Sequence, residues 1–319
     1  MTKRIQIMFL TLIIAVGLSI SVGVGSEFGL ENVVNDVQAS FENNDTKNIE
    51  LHFLDVGQGD SAFVILPDGK TMLIDASTSN QGTNIVNYLK NLNITKIDYL
   101  VVTHPDNDHY GGMSQVIDNF DIGTIYMTNY TNNTTTYTKL VQKIQNKGLN
   151  ITIPNVNDTV SEFADYKIIF LSPNQKYSQS NDMSLVIQIH FKYKTFLFMG
   201  DASTKVEKDI LNSNPNLFAD LIKIGHHGSY YSSSARFIDQ VSPQFAIISS
   251  GVNNQYGHPH DLTLDTLKNY KVNIYRTDQV GHIIAVSDGN IINITTQKGN
   301  GTGISNFLTN YIIKSIKIA

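Results

Sequence analysis

Apolar residues along the chain fall into many short runs and few long ones. From Ile49 onward, β-rich stretches occur at 50–55, 61–66, 71–75, 98–103, 167–171, 184–190, 194–199, 220–224, 244–249, 272–276, 282–286 and 290–295. Gly, Asn, Asp and Pro punctuate them, and these are the residues that end strands and make turns. Elsewhere apolar residues return at helical spacing. Asn84–Asn93 carries Ile85, Tyr88, Leu89 and Leu92, and Thr136–Gly148 carries Leu140, Val141 and Ile144. Such a stripe packs one helix face on a core. Thr204–Leu211 and Leu262–Asn269 are similar. Short strands with helices interspersed predict an α+β fold in which helices cover two sheets. The chain has no internal repeat, and the Thr/Asn-rich stretch 128–138 reads as an exposed loop.

The two ends depart from this pattern. Lys3 and Arg4 precede an apolar run from Ile5 to Gly25. A short basic start before an apolar run is an export signal, and about twenty apolar residues also suffice to span a bilayer. Residues 1–25 are therefore expected to be a signal peptide or a retained membrane anchor. Positive charge stays on the cytoplasmic side, so either reading sends the remainder to the cell envelope or the extracellular space. Residues 26–48 are polar and rich in Asn, Asp and Glu, as a linker would be. Residues 297–319 form a Gly/Asn linker and an apolar tail to which the pattern assigns no role, leaving 49–296 as the folded domain.

Composition narrows the chemistry. With 319 residues and 41% apolar content, the chain can bury a core without a metal or disulfide to hold it together. It has no cysteine. That removes disulfides, thiolate metal sites and cysteine nucleophiles, and leaves His, Asp and Glu as metal ligands. A formal net charge of −5 argues against holding nucleic acid by bulk electrostatics. A polyanion would need local contacts from metals and a few basic or aromatic side chains.

The densest set of ligating side chains is Thr103-His104-Pro105-Asp106-Asn107-Asp108-His109-Tyr110-Gly111-Gly112. An apolar strand, Tyr99–Val102, runs directly into it, and four potential ligands follow within six residues. A tight loop after a strand lets His104 and Asp106 face one site while Asp108 and His109 face its neighbour, which is a two-metal arrangement. The plain alternative is a polar turn in which Asp108 caps a helix. Gly111 and Gly112 are expected to permit close backbone approach.

This segment resembles the H-x-[HD]-x-D-H loop of the metallo-β-lactamase superfamily, in the variant with Asp at the second position found in hydrolase domains of ComEC-type competence proteins. Further segments resemble that superfamily's motifs in the same order. These are Leu54-Asp55-Val56-Gly57-Gln58-Gly59-Asp60-Ser61, Leu73-Ile74-Asp75, Ser180-Asn181-Asp182-Met183-Ser184-Leu185-Val186, Met199-Gly200-Asp201, Lys223-Ile224-Gly225-His226-His227-Gly228-Ser229 and Gly257-His258-Pro259-His260. The resemblance covers nearly all of 49–296 and implies an αββα sandwich of two mixed sheets with outer helices. It implies one metal site with His104, Asp106 and Asp182, a second with Asp108, His109 and one of His226 and His227, and Asp201 bridging them. His226 is expected as the ligand and His227 as a catalytic residue with Asp108 and His258, although the sequence does not choose between the adjacent pair. Asp55, Asp60 and Asp75 are expected to brace the loop or cap turns, and Ser229 to approach a substrate oxyanion. His52 and His190 are expected to be core or surface residues, with His282 unassigned.

Carboxylates among the imidazoles suit harder cations, so two divalent ions, manganese or zinc, are expected. The implied activity is hydrolysis by a metal-activated hydroxide, with a phosphodiester of DNA as the expected substrate and no nucleotide cofactor. Asp108 would take the water's proton, and His258 or the non-ligating histidine would protonate the leaving group. Two other readings remain: hydrolysis of an envelope phosphodiester or ester, and a non-catalytic metal-stabilised binding module. With at most one membrane segment, the chain does not itself form a DNA channel.

Overall fold

The chain's layering follows from side-chain alternation, which is visible in the first strand of the computed structural model. The structure describes residues 48–163 and 165–298, so the expected signal or anchor and nearly all of the linker and tail lie outside it. The strands, in chain order, are β1 (Ile49–Phe53), β2 (Ala62–Ile65), β3 (Thr71–Ile74), β4 (Lys96–Val102), β5 (Asp121–Met127), β6 (Ile151–Thr152), β7 (Thr159–Phe163) and β8 (Tyr166–Ser172). They continue with β9 (Val186–Phe191), β10 (Lys194–Phe198), β11 (Leu221–Lys223), β12 (Phe245–Ile248), β13 (Asn273–Arg276), β14 (Ile283–Ser287) and β15 (Ile292–Thr296). The helices are α1 (Gly82–Asn91), α2 (Asn107–Tyr110), α3 (Met113–Asn119), α4 (Thr135–Asn146), α5 (Thr204–Ser213), α6 (Ala235–Val241), α7 (Asp261–Asn269) and α8 (Thr277–Val280).

Ile49, Leu51 and Phe53 of β1 enter one core, while His52 between them faces away and bonds the Tyr88 hydroxyl of α1 at 2.8 Å. Successive residues of a strand point to opposite faces, so each sheet needs cover on both sides. The central core joins Ile49, Leu51, Val64 and Met72 of one sheet to Ile168, Ile187, Phe196 and Ile247 of the other. A second core seats Ile85 and Leu89 of α1, Val116 of α3 and Leu140 of α4 on the outer face of the first sheet. A third seats Val206 and Ile210 of α5, Phe237 of α6 and Leu267 of α7 on the outer face of the second. Three cores between four layers make the expected αββα sandwich.

The first sheet runs β15-β14-β1-β2-β3-β4-β5-β6 and the second β13-β12-β11-β10-β9-β8-β7. Both are mixed: antiparallel through β14-β1-β2-β3 and β7-β8-β9-β10, parallel from β3 to β6 and from β10 to β13. Parallel strands deliver their C-terminal ends to one edge, and the loops gathered there form a crevice. Loops after β3, β4, β10, β11 and β12 carry the polar motifs to that edge.

Several elements do not stand out in the apolar pattern. The outermost strand β7 has no buried residue, so it lacks the apolar face that marks a strand. Helices α3 and α6 span seven residues each, too few for a helical stripe to repeat convincingly. Among the described residues no helix is long and apolar enough to cross a membrane.

One buried carboxylate ties the second helical layer to the crevice. Glu207 of α5 is buried, and its carboxylate accepts from the Ser233 N–H, from the Ser234 N–H at 3.0 Å and from the Ser234 hydroxyl at 2.7 Å. It thereby fixes the segment between the His226-His227 turn and α6. Burial pushes Glu207 up to about 7 from 4.5 against these donors. The folded protein thus keeps a proton that the unfolded chain releases earlier. That contribution to stability is complete below pH 4.5 and is lost as pH rises to about 7. Over this interval the wild-type melting temperature should fall relative to that of Glu207→Gln. Thermal unfolding of both proteins across the interval tests this, and parallel profiles would contradict it.

Candidate metal centre

The turn that carries the two adjacent histidines is backbone-strained. His226 (φ 50°, ψ 45°) and His227 (φ 55°, ψ 21°) both adopt left-handed conformations. Non-glycine residues pay a conformational cost there and keep such angles only when their surroundings impose them. The turn sends the two rings in different directions. His227 is buried and His226 lies at the opening, its side chain 24% exposed. Across the crevice, Gly112 follows the His104–His109 loop. A Cβ at Gly112 would strike the Ala76 carbonyl, so only glycine lets this loop pack against the end of β3.

The loops converge on Asp201. Its carboxylate lies 3.3 Å from His109 Nε2, 3.7 Å from both His226 Nε2 and His227 Nε2, and 3.9 Å from His104 Nε2. Asp106 lies 3.6 Å from His104 Nε2, and Asp108 3.3 Å from His227 Nε2. Four three-residue groups result, His104-His109-Asp201, Asp108-His109-His227, Asp60-Asp75-His109 and Asp60-Asp201-His227, with each group's ligand atoms within 4.8 Å of one another. Asp60 and Asp75 lie behind the imidazoles, on the Nδ1 side of His227 and His109. Two ligand atoms held about 2.1 Å from one zinc at a tetrahedral angle stand roughly 3.4 Å apart. The observed spacings, 3.3–3.9 Å, run from that figure to about half an ångström above it. Moreover, His104 Nε2, His109 Nε2, His227 Nε2 and Asp201 Oδ1 are buried without a hydrogen-bond partner. Such atoms are costly unless something pairs with them, and a divalent cation fits this donor set.

A surrounding layer orients these ligands. Asp75, at the end of β3, accepts from Thr103 N–H at 2.8 Å and from the Thr103 hydroxyl at 2.7 Å, and lies 2.7 Å from His109 Nδ1. This leaves His109 Nε2 facing the centre. Behind His227, Nδ1 lies 3.2 Å from both the Ser249 carbonyl and Asp60 Oδ1. Asp60 is held in turn by Lys223 Nζ at 2.9 Å, in a fully buried ion pair. The Ser184 hydroxyl accepts from Asp201 N–H at 3.0 Å and lies 3.4 Å from His104 Nδ1.

Electrostatics follow from this crowding. Burial opposes charge on His109, but Asp201 and Asp75 outweigh it and hold its pKa well above the imidazole range. Burial likewise opposes charge on His227, yet Asp201, Asp60 and Asp108 lift it to about 10. Asp201 is held well below the carboxylate range by His109 and His227, despite its burial. Further out the balance reverses. Burial lowers His226, and burial with the neighbouring His227, His226 and His260 lowers His258 to about 4. Cation binding would replace protons on the inner imidazoles while the outer pair is already neutral.

Most expected residues meet here: His104, Asp106, Asp108, His109, Asp201, His226 and His227, with His258 at the rim. Two placements differ from expectation. His227, expected as the catalytic member, groups with Asp108 and His109, and His226, expected as the ligand, faces the opening. The left-handed turn, not strand alternation, sets their directions. Asp182 is buried on a 3-10 turn, Asn181–Met183, and among the described residues no hydrogen bond or ion pair joins its carboxylate to the cluster. Asn181 Nδ2 instead lies 3.3 Å from His226 Nε2. Adjacent residues on such a turn diverge by about 120°, so one facing in turns the other away.

Outside the expected ligand set, Lys223 and Ser184 lie in the Lys223–Ser229 and Ser180–Val186 segments but show their roles only in the folded chain. A lysine inside an apolar strand was the one signal for a buried partner. Asp55 caps its own turn through Gly57 N–H at 3.4 Å, and Ser229 is buried with its hydroxyl accepting from Tyr231 N–H at 3.3 Å. His52 and His282 pack against Tyr88, and His190 bonds Thr195 at 3.1 Å, all apart from the centre.

Asp75→Asn should keep the fold but lower metal affinity about 10–100-fold, the usual cost of losing a group that orients a ligating imidazole. Metal titration by calorimetry tests this, and unchanged affinity would remove Asp75 from that role.

Comparison with known proteins follows the same residues. Residues 54–252 match the family described as "Metallo-beta-lactamase superfamily". ComE operon protein 3 of Bacillus subtilis (strain 168) is 30% identical over 252 residues, covering 73% of this chain and 32% of that protein. Recombination protein 2 of Haemophilus influenzae is 31% identical over 243 residues, covering 73% of this chain and 28% of that protein. The chain thus spans about a third of the length of these relatives. Among solved structures, the metallo-beta-lactamase fold protein YhfI from Bacillus subtilis aligns with a TM-score of 0.48 at 9% identity, covering 77% of this chain and 100% of that chain.

Proposed function

The chain belongs to the metallo-beta-lactamase superfamily, and on that premise we propose that it is a metal-dependent phosphodiesterase that cuts nucleic acid. The observation that carries the hydrolytic reading is the set of four buried atoms without a hydrogen-bond partner, on His104, His109, His227 and Asp201. Support for nucleic acid comes from the relatives, which are named ComE operon protein 3 and Recombination protein 2. An exported or membrane-tethered location rests on Lys3, Arg4 and the apolar run after them.

We assign one cation to His104, Asp106 and Asp201, and the other to Asp108, His109 and His227, with Asp201 shared. Held there, two divalent cations, manganese or zinc, supply Lewis-acid polarisation of a phosphoryl oxygen and a lowered pKa for water. The side chains do the rest. Asp108, whose side chain is 32% exposed, faces the opening and can hold the proton that water gives up. His226 takes the substrate-facing role first given to His227. With their pKa values lowered, His226 and His258 enter as neutral imidazoles, each able to donate one N–H to a substrate oxygen. Burial of His104, His109 and Asp201 keeps bulk water from the inner ligands.

Hydrolysis of single-stranded DNA, double-stranded DNA and bis(p-nitrophenyl) phosphate, with manganese or zinc added, tests this reading. Asp106→Ala and Asp201→Ala should each cost more than the ~10–100-fold typical of outer-shell changes, with circular dichroism unaltered. Cleavage of the small diester alone would redirect the search to envelope phosphodiesters. Full activity in both variants would overturn the assignment.

A further inference from the structure

Exposed aromatic rings gather at the mouth of the centre. Tyr230 is 47% exposed, Tyr231 60% and Tyr256 55%. They come from two loops, one between the His226-His227 turn and α6, the other between β12 and α7. Single exposed tyrosines are ordinary, whereas clustered exposed apolar surface marks a binding site.

These rings continue inward to the metal ligands. The Tyr256 ring stacks on His258 at 5.6 Å and 22°, and His258 stacks on His227 at 6.1 Å and 26°. A second branch runs from Tyr231 to Tyr230 at 4.3 Å, to His260 at 4.6 Å and to His258 at 4.8 Å. Hydrogen bonds hold the branches in place. The Tyr230 hydroxyl donates to that of Tyr231 at 3.0 Å, and Tyr230 N–H to His260 Nδ1 at 3.1 Å. Asn254 Oδ1 accepts from Tyr256 N–H at 3.2 Å and from His258 N–H at 3.0 Å. The rings are therefore pre-positioned and need little ordering when a ligand arrives.

Cations border the same loop. Thr204 N–H donates to the Tyr231 carbonyl at 2.9 Å, and the next residue is Lys205. Lys205 is exposed, with its ammonium over the Tyr177 ring. Arg236 is exposed at the start of α6. Among the described residues neither has a carboxylate partner. Flat rings suit a face to stack on, and cations on the segments that flank this loop suit an anionic backbone, which a neutral glycan lacks.

We propose that Tyr230, Tyr231 and Tyr256 form a stacking platform for the bases of an unpaired nucleic-acid strand whose phosphodiester lies at the metal centre, an inference that rests on the phosphodiesterase reading. Bases in a duplex already stack on each other on both faces. Exposed rings therefore favour a single strand, and they do so without regard to sequence.

The test is fluorescence anisotropy of labelled oligothymidylate with the full chain in EDTA, where no cleavage occurs. A duplex of equal length and a wall-glycan fragment are run in parallel, and bis(p-nitrophenyl) phosphate turnover is measured separately with metal. Tyr230→Ala/Tyr231→Ala and Tyr256→Ala should each weaken oligothymidylate binding about tenfold per ring. Tyr→Phe at the same positions, which keeps each ring, should retain both oligothymidylate binding and turnover of the small diester. Binding by the Ala variants within about twofold of wild type overturns the platform. So does equal loss for duplex, or loss confined to the glycan fragment. Ring-dependent binding without metal-dependent cleavage sinks the hydrolytic reading and leaves the platform standing. Cleavage of DNA that ignores the tyrosines does the reverse.

Discussion

The rest of the centre depends on a single buried carboxylate. Asp201 is 3% exposed and lies within 3.9 Å of four imidazoles. An isolated charge at that depth would neutralise itself by taking up a proton. Asp201 remains an anion only because cationic groups surround it, and those groups come from loops after β4 and β11 in opposite sheets. The electrostatic demand of one side chain therefore couples the two halves of the sandwich. The supporting layer meets a similar demand one step out: Asp75 behind His109, and Lys223 with Asp60 behind His227. Removing any one partner would leave a buried charge uncompensated, which is far more costly than never having the pair.

Strain is placed where this coupling requires it. Asp75 has φ 60°, and His226 and His227 are both left-handed. Each sits at the end of a strand, where a regular continuation would carry the side chain past the centre. Three cores hold those strand ends, so a local conformational cost of order 1–3 kcal/mol per residue can be sustained. Rigid sheets with strained loops at their C-terminal edge combine a stable frame with accurate ligand placement.

Much of this was legible in the sequence, for identifiable reasons. The His104–His109 loop stands out because its ligands are contiguous and follow an apolar strand. The sandwich is readable because most strands carry an apolar face. What was not legible depends on direction. Strand alternation does not apply to the His226-His227 turn, so which ring faces inward is set by φ and ψ. Asn181 and Asp182 are equally plausible by composition, and only the 3-10 turn decides which of them approaches His226. The unpredicted β7 lacks a buried face, and α3 and α6 are too short to show a period.

The acidic composition bears on how such a protein would handle a polyanion. With 23 Lys and Arg against 28 Asp and Glu, the chain carries no net positive charge with which to hold a polyanion by bulk electrostatics. Under the proposed reading, attraction is needed at one phosphate only, where divalent cations would supply it. Neighbouring nucleotides can be held through their bases, because stacking on tyrosine does not require a positive surface. Non-specific electrostatic binding would instead hold every phosphate along the strand equally and leave the scissile one undistinguished. Rings that lead inward through His258 to His227 would make the distinction by geometry. Under that reading, a low density of basic residues would permit the selectivity for an unpaired strand that a strongly basic surface would blur.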